Sequence, residues 1–331
     1  KVFSHVEHKM ILGFKGLFLG ITDGATQMLM DFCLVGEKGK KGTYNLKQKQ
    51  LDARFKKERN EDSHTAKRIK EYDESKIKLM IEMTKRLISR KIHFDYILAD
   101  SWFACAEVIR FVTSRHVKCH YLGMIKMGKT KYHYNRKDYT AKALVALFDH
   151  PKKGRKFSRN LGCYYVTVDV EFAGRKVRLF FTKRNKKSEW NALITTNTEL
   201  EFKEAYRIYS MRWSLEVVFK DSKGNLGLGK YQMRNFASQI ACTAITAMQY
   251  NILATARRFS SYETIGGLFR EVTRNSAELT ITERIWGMIV DIVSEIAQCF
   301  EIEDEKIFEA LINRSDKLQH IIQIYELKIA S

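Results

Sequence analysis

Tyr209, Arg212, Glu216 and Lys223 follow one another at intervals of three, four and seven residues. The segment that carries them, Ile208–Lys223, has no Gly or Pro, and Ile208, Met211, Leu215, Val218 and Phe219 recur at helical spacing. At about 100° per residue, the four polar side chains fall within roughly 60° of one another. One stripe therefore presents a phenol, a guanidinium, a carboxylate and an ammonium, with Lys220 close beside it. As a generic i,i+4 pair, Arg212 and Glu216 read as a solvated ion pair. The chemical alternative is a carboxylate that holds a divalent cation while its cationic neighbours hold phosphates. The helix alone does not choose.

A second carboxylate stands where such chemistry is built. Asp100 closes the short β-rich run Phe94–Ala99, in Tyr-Ile-Leu-Ala-Asp-Ser-Trp-Phe. Taken alone, an Asp in that place reads as the N-cap of the next helix. Open α/β sheets, however, form their sites at the carboxyl ends of strands. Phosphodiester chemistry needs carboxylates from separate elements converging on two divalent ions about 3.5–4 Å apart. One ion then activates a water or a 3′-hydroxyl, and the other stabilises the leaving oxygen. Oxygen ligands select Mg²⁺ or Mn²⁺. Asp100 on a strand end and Glu216 on a later helix fit that plan.

The elements around these residues can be read from pattern. Ile11–Thr22 and Gln27–Val35 are apolar runs joined by Asp23-Gly24-Ala25-Thr26, which predicts a hairpin. Ser75–Arg90 predicts an amphipathic helix through Ile77, Met80, Ile81, Thr84, Leu87 and Ile88. The strand ending at Ala99, a helix over 104–114 and a strand over 117–125 argue for an α/β sheet. From Lys126 to Asn197 the pattern is β, with basic and aromatic residues interleaved. Within it, Cys163–Phe172 and Arg175–Lys183 flank Ala173-Gly174, the strongest hairpin signal in the chain. Beyond Glu201 the chain reads as helical, over 201–222, 234–259 and on to its end.

Composition narrows the partners. The 331 residues are 45% hydrophobic, enough for a large core or two domains. Lys and Arg number 58 against 38 Asp and Glu, a net charge of +20. With 12% aromatics, that excess points to a polyanion, and nucleic acid is the usual one. Between Lys38 and Lys70 there are 12 basic and 4 acidic residues, which suits a solvated connector or a phosphate-contacting arm. Cysteines 33, 105, 119, 163, 242 and 299 form no C-x-x-C pair and read as small apolar residues in a reducing compartment. His5/His8 and Cys119/His120 lack partners at zinc-ligand spacing. No run is long and apolar enough to span a bilayer, so no membrane partner is expected. A first residue of Lys, within an amphipathic pattern, leads us to expect a piece of a longer protein.

Tyr209–Lys223 matches the Y-x(2)-R-x(3)-E-x(6)-K signature of cut-and-paste insertion-sequence transposases with a DDE catalytic domain. The Asp100-Ser-Trp-Phe segment looks like the second-aspartate region of that family, and Gly13–Val35 like the hairpin before it. The resemblance covers nearly the whole chain. It implies an α/β fold: an RNase H-like mixed sheet flanked by helices, an inserted, mainly antiparallel β subdomain, and a helical C-terminal region. The implied division is a core over 1–125 with its first strand missing and a basic connector at 36–72, an insertion over 126–197, a catalytic helix over 198–232, and helices over 233–331.

The resemblance further implies that Asp100 and Glu216 are metal-binding catalytic acids for two Mg²⁺ or Mn²⁺ ions. Tyr209, Arg212 and Lys223 would contact transposon-end phosphates, with Lys220 adding to that DNA-binding face. Trp190 resembles the insertion-domain tryptophan that stacks on a flipped base, although a tryptophan before a strand is otherwise core. The implied partners are double-stranded DNA, at transposon ends and target, and a second copy of the chain. That homodimer would form a synaptic complex, with the C-terminal helices as its interface, in the bacterial cytoplasm on the nucleoid.

The family's first aspartate lies on a strand before the Gly13–Val35 hairpin, and no residue here matches it. Asp23 reads as a turn residue and Asp31 as a polar residue on a sheet face. Three functions follow as alternatives. They are a transposase catalytic region, a non-catalytic DNA-binding protein derived from one, and an RNase H-like nuclease or resolvase that cuts without transposing.

Overall fold

The computed structural model describes residues 2–4, 8–39, 42–43, 60, 63–233, 235–259 and 264–270, with 285, 289–290 and 292–297 beyond them. Most of the basic connector and the expected helices after residue 270 fall outside the described residues. The chain divides into two units, 1–265 and 266–331, and every numbered element lies in the first.

Turn chemistry sets the first half. Strands β1 (Val2–Ser4) and β2 (Lys9–Ile11) pair antiparallel. The expected hairpin follows as β3 (Lys15–Thr22) and β4 (Gln27–Val35), with a register shift at Leu19/Gly20. Asp23 makes its turn: Oδ1 accepts the N–H of Ala25 at 3.0 Å and of Thr26 at 2.8 Å, and Oδ2 accepts Arg258 at 2.6 Å. The Thr26 N–H first, then Arg258, draw the Asp23 carboxyl down to about 2. Short strands β5 (Lys38–Gly39) and β6 (Gly42–Thr43) pair next. Helix α1 (His64–Lys70) is capped by Ser63 and α2 (Lys76–Ser89) by Ser75.

Strand β7 (Tyr96–Ala99), helix α3 (Ala106–Val112) and strand β8 (His120–Ile125) form the expected strand–helix–strand unit, and β7 and β8 are parallel. Strands β9 (Lys131–Tyr134) and β10 (Lys137–Thr140) are followed by α4 (Ala141–Phe148), a helix inside a stretch read as β. Thr140 caps it by accepting the Ala143 N–H, and Ala141, Leu144 and Val145 are buried. After β11 (Lys156–Ser158), the hairpin β12 (Cys163–Phe172) and β13 (Arg175–Lys183) has the bounds expected from sequence. Its turn residues, Ala173 and Gly174, take positive φ of 55° and 74°, as a primed turn requires.

Strand β14 (Asn191–Thr195) pairs with both β13 and β8. The strands of the insertion region therefore continue the β7–β8 pair as one mixed sheet, ordered β10-β9-β12-β13-β14-β8-β7 with β11 on β12. Helices α5 (Phe202–Ser210) and α6 (Ser214–Gly224) occupy the stretch expected as one helix. A 3₁₀ turn over Met211–Trp213 separates them. Helix α7 (Phe236–Arg258) completes the unit.

Alternating side chains bury both faces of the long sheet. On one face Ile97, Ala99 and Tyr121 pack with Met80 and Ile81 of α2 and Val108 and Ile109 of α3. On the other, Leu122, Phe180 and Leu193 pack with Phe202 and Ala205 of α5. The β3–β4 hairpin is covered in the same way. Leu79 and Met83 of α2 meet Cys33 and Val35, while Val218 of α6 and Tyr250 of α7 meet Leu29. Helix α2 thus lies against both sheets on one side, and α5–α6 against both on the other.

Not every buried polar group is matched. Tyr121 is fully buried, and its hydroxyl has no hydrogen-bond partner among the described residues. An unpaired buried hydroxyl costs about 1–3 kcal/mol. Tyr121→Phe is therefore expected to stabilise the fold by about 1 kcal/mol, read as a higher urea midpoint with an unchanged slope. A loss of stability would show that the hydroxyl has a partner.

Candidate active site

The parallel pair β7–β8 fixes Asp100. In register Ala99 lies opposite Gly123, so Asp100 stands at the common carboxyl end of both strands, where it is exposed. Its Oδ1 accepts the Trp102 N–H at 2.9 Å, and its carbonyl accepts the Phe103 N–H at 3.2 Å, closing a tight turn. The N-cap of α3 is Cys105, so Asp100 does not cap that helix. Oδ2 has no hydrogen-bond partner among the described residues.

Helix α5 delivers the second half of the site. Its buried Phe202 and Ala205 seat it on the sheet, which brings Tyr209 to the end of β8. Burial, and to a smaller extent the charge of Asp100, push the Tyr209 hydroxyl up. The Arg212 charge and hydrogen bond and the Met124 N–H pull the other way. The Arg212 guanidinium lies 5.8 Å from the Tyr209 ring centroid and 3.5 Å from Glu216 Oε1. The 3₁₀ turn between the two helices thus keeps Tyr209, Arg212 and Glu216 together, and Tyr209 packs in the cluster that includes Leu98 of β7, two residues before Asp100. Glu216 is about half exposed, its side chain at 48%. Lys220 and Lys223 follow one and two turns further along α6, both exposed and without an ion pair among the described residues.

Trp190 is placed differently, just before β14. Its indole N–H donates to Asp149 Oδ2 at 3.2 Å, and Lys183 Nζ sits 4.4 Å from the ring centroid. Lys183 and Arg155 also bond Asp149, at 2.8 and 2.9 Å. One face of this tryptophan is therefore held in a polar cluster.

Sequence reasoning passed over two features. Lys76 opens α2 half-buried; burial and Lys15 lower its ammonium, while Glu37 and Asp100 raise it. Trp102 and Trp213 are 59% and 65% exposed, the first two residues after Asp100 and the second three before Glu216. Proximity in sequence to each acid was visible, but exposure was not.

A cavity of about 830 Å³ opens between the two sheets. Its walls include Phe18–Thr22 of β3 and Tyr96–Leu98 of β7, with Thr84 and Leu87 of α2 on one side and Ile208, Leu215 and Val218 of α5–α6 on the other. Among the described residues, neither the outer edge of β3 nor that of β7 pairs with a strand. Asp23 and Asp31 do not supply a carboxylate beside Asp100. Asp23 sits in the hairpin turn with Arg258, and the oxygens of Asp31 are bonded by Arg68 and Arg86.

The donors present suit a hard divalent cation: two carboxylates from separate elements, one with a free oxygen. Among the described residues no group of three or more His, Cys, Asp or Glu converges, so the described set is short of a full metal site. Five described cysteines are free thiols. Among the described residues no helix is long and apolar enough to cross a membrane.

A family model for the transposase DDE domain matches residues 61–252. No curated protein matches the sequence. Among solved structures, the chain is similar to a piggyBac transposase in a cryo-EM synaptic complex with hairpin DNA. Identity is 11% and the TM-score 0.36, over 62% of this chain and 43% of that one. The chain thus spans less than half the length of that transposase. The mixed sheet flanked by helices is the α/β architecture expected from the sequence.

Proposed function

The chain belongs to the transposase DDE domain family, and we propose that it forms the catalytic core of a DNA transposase. In this reading it cuts DNA at transposon ends and joins the cut 3′ ends to target DNA. One observation supports the proposal: Tyr209, Arg212 and Glu216 form one stripe, and Tyr209 at its head packs with Leu98 and Met124 near the carboxyl ends of β7 and β8.

Asp100 and Glu216 are the residues that would hold two divalent ions, Mg²⁺ or Mn²⁺. When bound, such ions activate the attacking oxygen and stabilise the leaving one. The protein's own groups bind and orient DNA. Arg212 offers a fork of donors to a phosphate, Tyr209 a hydroxyl, and Lys220 and Lys223 point charges further along the backbone. Trp190 is retained as a DNA contact of the insertion region. A third acid would come on a strand that fills the slot between β3 and β7. Two edges that pair with no strand among the described residues, and helices closing both faces, favour a strand as the occupant. Run parallel to β7, it would end beside Asp100.

The core would span 1–125 and 198–232, with 126–197 as its insertion and 233–331 as the helical region of a homodimer on paired ends. A bacterial, nucleoid-bound setting follows from the same reading. A second reading, a DNA-binding protein that does not cut, is favoured by the +20 charge.

Arg212→Ala tests the DNA-facing role. It should weaken duplex binding several-fold and reduce the salt slope by about one counterion, the mark of one lost phosphate contact. An unchanged affinity and slope would remove Arg212 from the interface. Cutting without transfer of the 3′ end would mark a nuclease instead.

A further inference from the structure

An exposed indole presents a flat apolar face on which a base can stack. Trp102 is 59% exposed although it follows a buried strand by only three residues. The turn closed by Asp100 accounts for its position: the Asp100 carboxylate accepts the Trp102 N–H at 2.9 Å. The indole is therefore fixed relative to Asp100 through the backbone. Lys126, the first residue after β8, places its ammonium 5.4 Å from the Trp102 ring centroid. Because β7 and β8 are parallel, both residues project from the same edge of the sheet. Trp190 offers less, since Asp149 and Lys183 already engage its N–H and one face.

We propose that Trp102 and Lys126 form a nucleotide-binding platform beside Asp100. On it an unpaired base of the bound DNA stacks on the indole and an adjacent phosphate takes the lysine. The platform would hold the strand at the position where the carboxylates act. It rests on the reading of this site as DNA-processing, and it adds that the DNA there is locally unpaired.

Aromatic stacking contributes enough per base to change affinity between about fivefold and a hundredfold. The test compares a fluorescent single-stranded oligothymidylate with an abasic oligonucleotide of equal length, and with duplex, on the full 331-residue chain. The wild type should bind the thymidylate about tenfold more tightly than the abasic strand. Trp102→Ala should abolish that difference and leave duplex affinity within about twofold, and Trp102→Phe should keep most of it. An exposed side chain can be truncated without loss of fold, and circular dichroism would verify this. A base preference that survives in Trp102→Ala overturns the platform. Duplex binding by the wild type with no base preference also overturns it, and leaves the transposase reading standing. No binding to any of the three DNAs would overturn both.

Discussion

Glu216→Gln is expected to abolish DNA cutting and to leave DNA binding intact or tighter. The substitution keeps the shape of the side chain on α6 and its reach to Arg212, 3.5 Å away, but removes one negative charge and an ionised oxygen donor. Loss of an outer-shell partner of a metal ligand already costs about 10–100-fold in metal affinity or activity. Loss of the ligand itself should exceed 100-fold. Binding should not fall, because the removed charge would repel the phosphates that Arg212, Lys220 and Lys223 are proposed to attract. Cleavage by an active form of the enzyme, with affinity measured in parallel, separates the two effects. Full activity in the variant would mean that Glu216 is only the salt-bridge partner of Arg212.

The second large effect is on stability. Asp31 is buried on β4, and both of its oxygens are taken up: Arg86 Nε bonds Oδ2 at 2.8 Å, and Arg68 bonds Oδ1. Glu71 closes the network with Arg86 at 2.7 Å and Arg68 at 3.0 Å. Asp31→Ala leaves two guanidiniums facing one carboxylate in a partly buried place. Breaking a buried pair on one side costs about 3–5 kcal/mol. Because 37% of the Arg86 side chain still meets solvent, the lower figure, about 3 kcal/mol, is expected. Urea denaturation gives the value. A cost below about 0.5 kcal/mol would show that the network is solvated and that Asp31 is free for another role. Its distance in function from Asp100 is then open again.

Local signals located most elements of the fold, and long-range pairing was beyond them. The β12–β13 hairpin was legible to the residue because Ala173-Gly174 can adopt positive φ between two alternating runs. Helix α2 was legible from its apolar stripe. Helix α4 was not: seven of its eight residues are Ala, Leu, Val or Phe, and such a run satisfies either period. The 3₁₀ turn at Met211–Trp213 has no Gly or Pro to announce it. It left the stripe's meeting of Tyr209, Arg212 and Glu216 intact, since each lies about one turn from the next. Nothing local indicated that β14 would join β13 to β8, because that pairing links residues about seventy apart. In the site, Asp100 and Glu216 were named by strand-end position and by the signature. The platform residues Trp102 and Lys126 carry no period, and only the parallel register sets them side by side.

The cavity between β3 and β7 points to the most direct measurement. The chain would be lengthened at its N-terminus by a strand carrying an aspartate, and by the same strand with asparagine in its place. Each would then be assayed for Mg²⁺-dependent cleavage of duplex DNA. Both additions are expected to stabilise the fold, only the aspartate form is expected to cut, and Glu216→Gln is expected to silence it. If both forms bind DNA tightly and neither cuts, the carboxylates at this strand end are not a catalytic set, and the protein is a DNA-binding one.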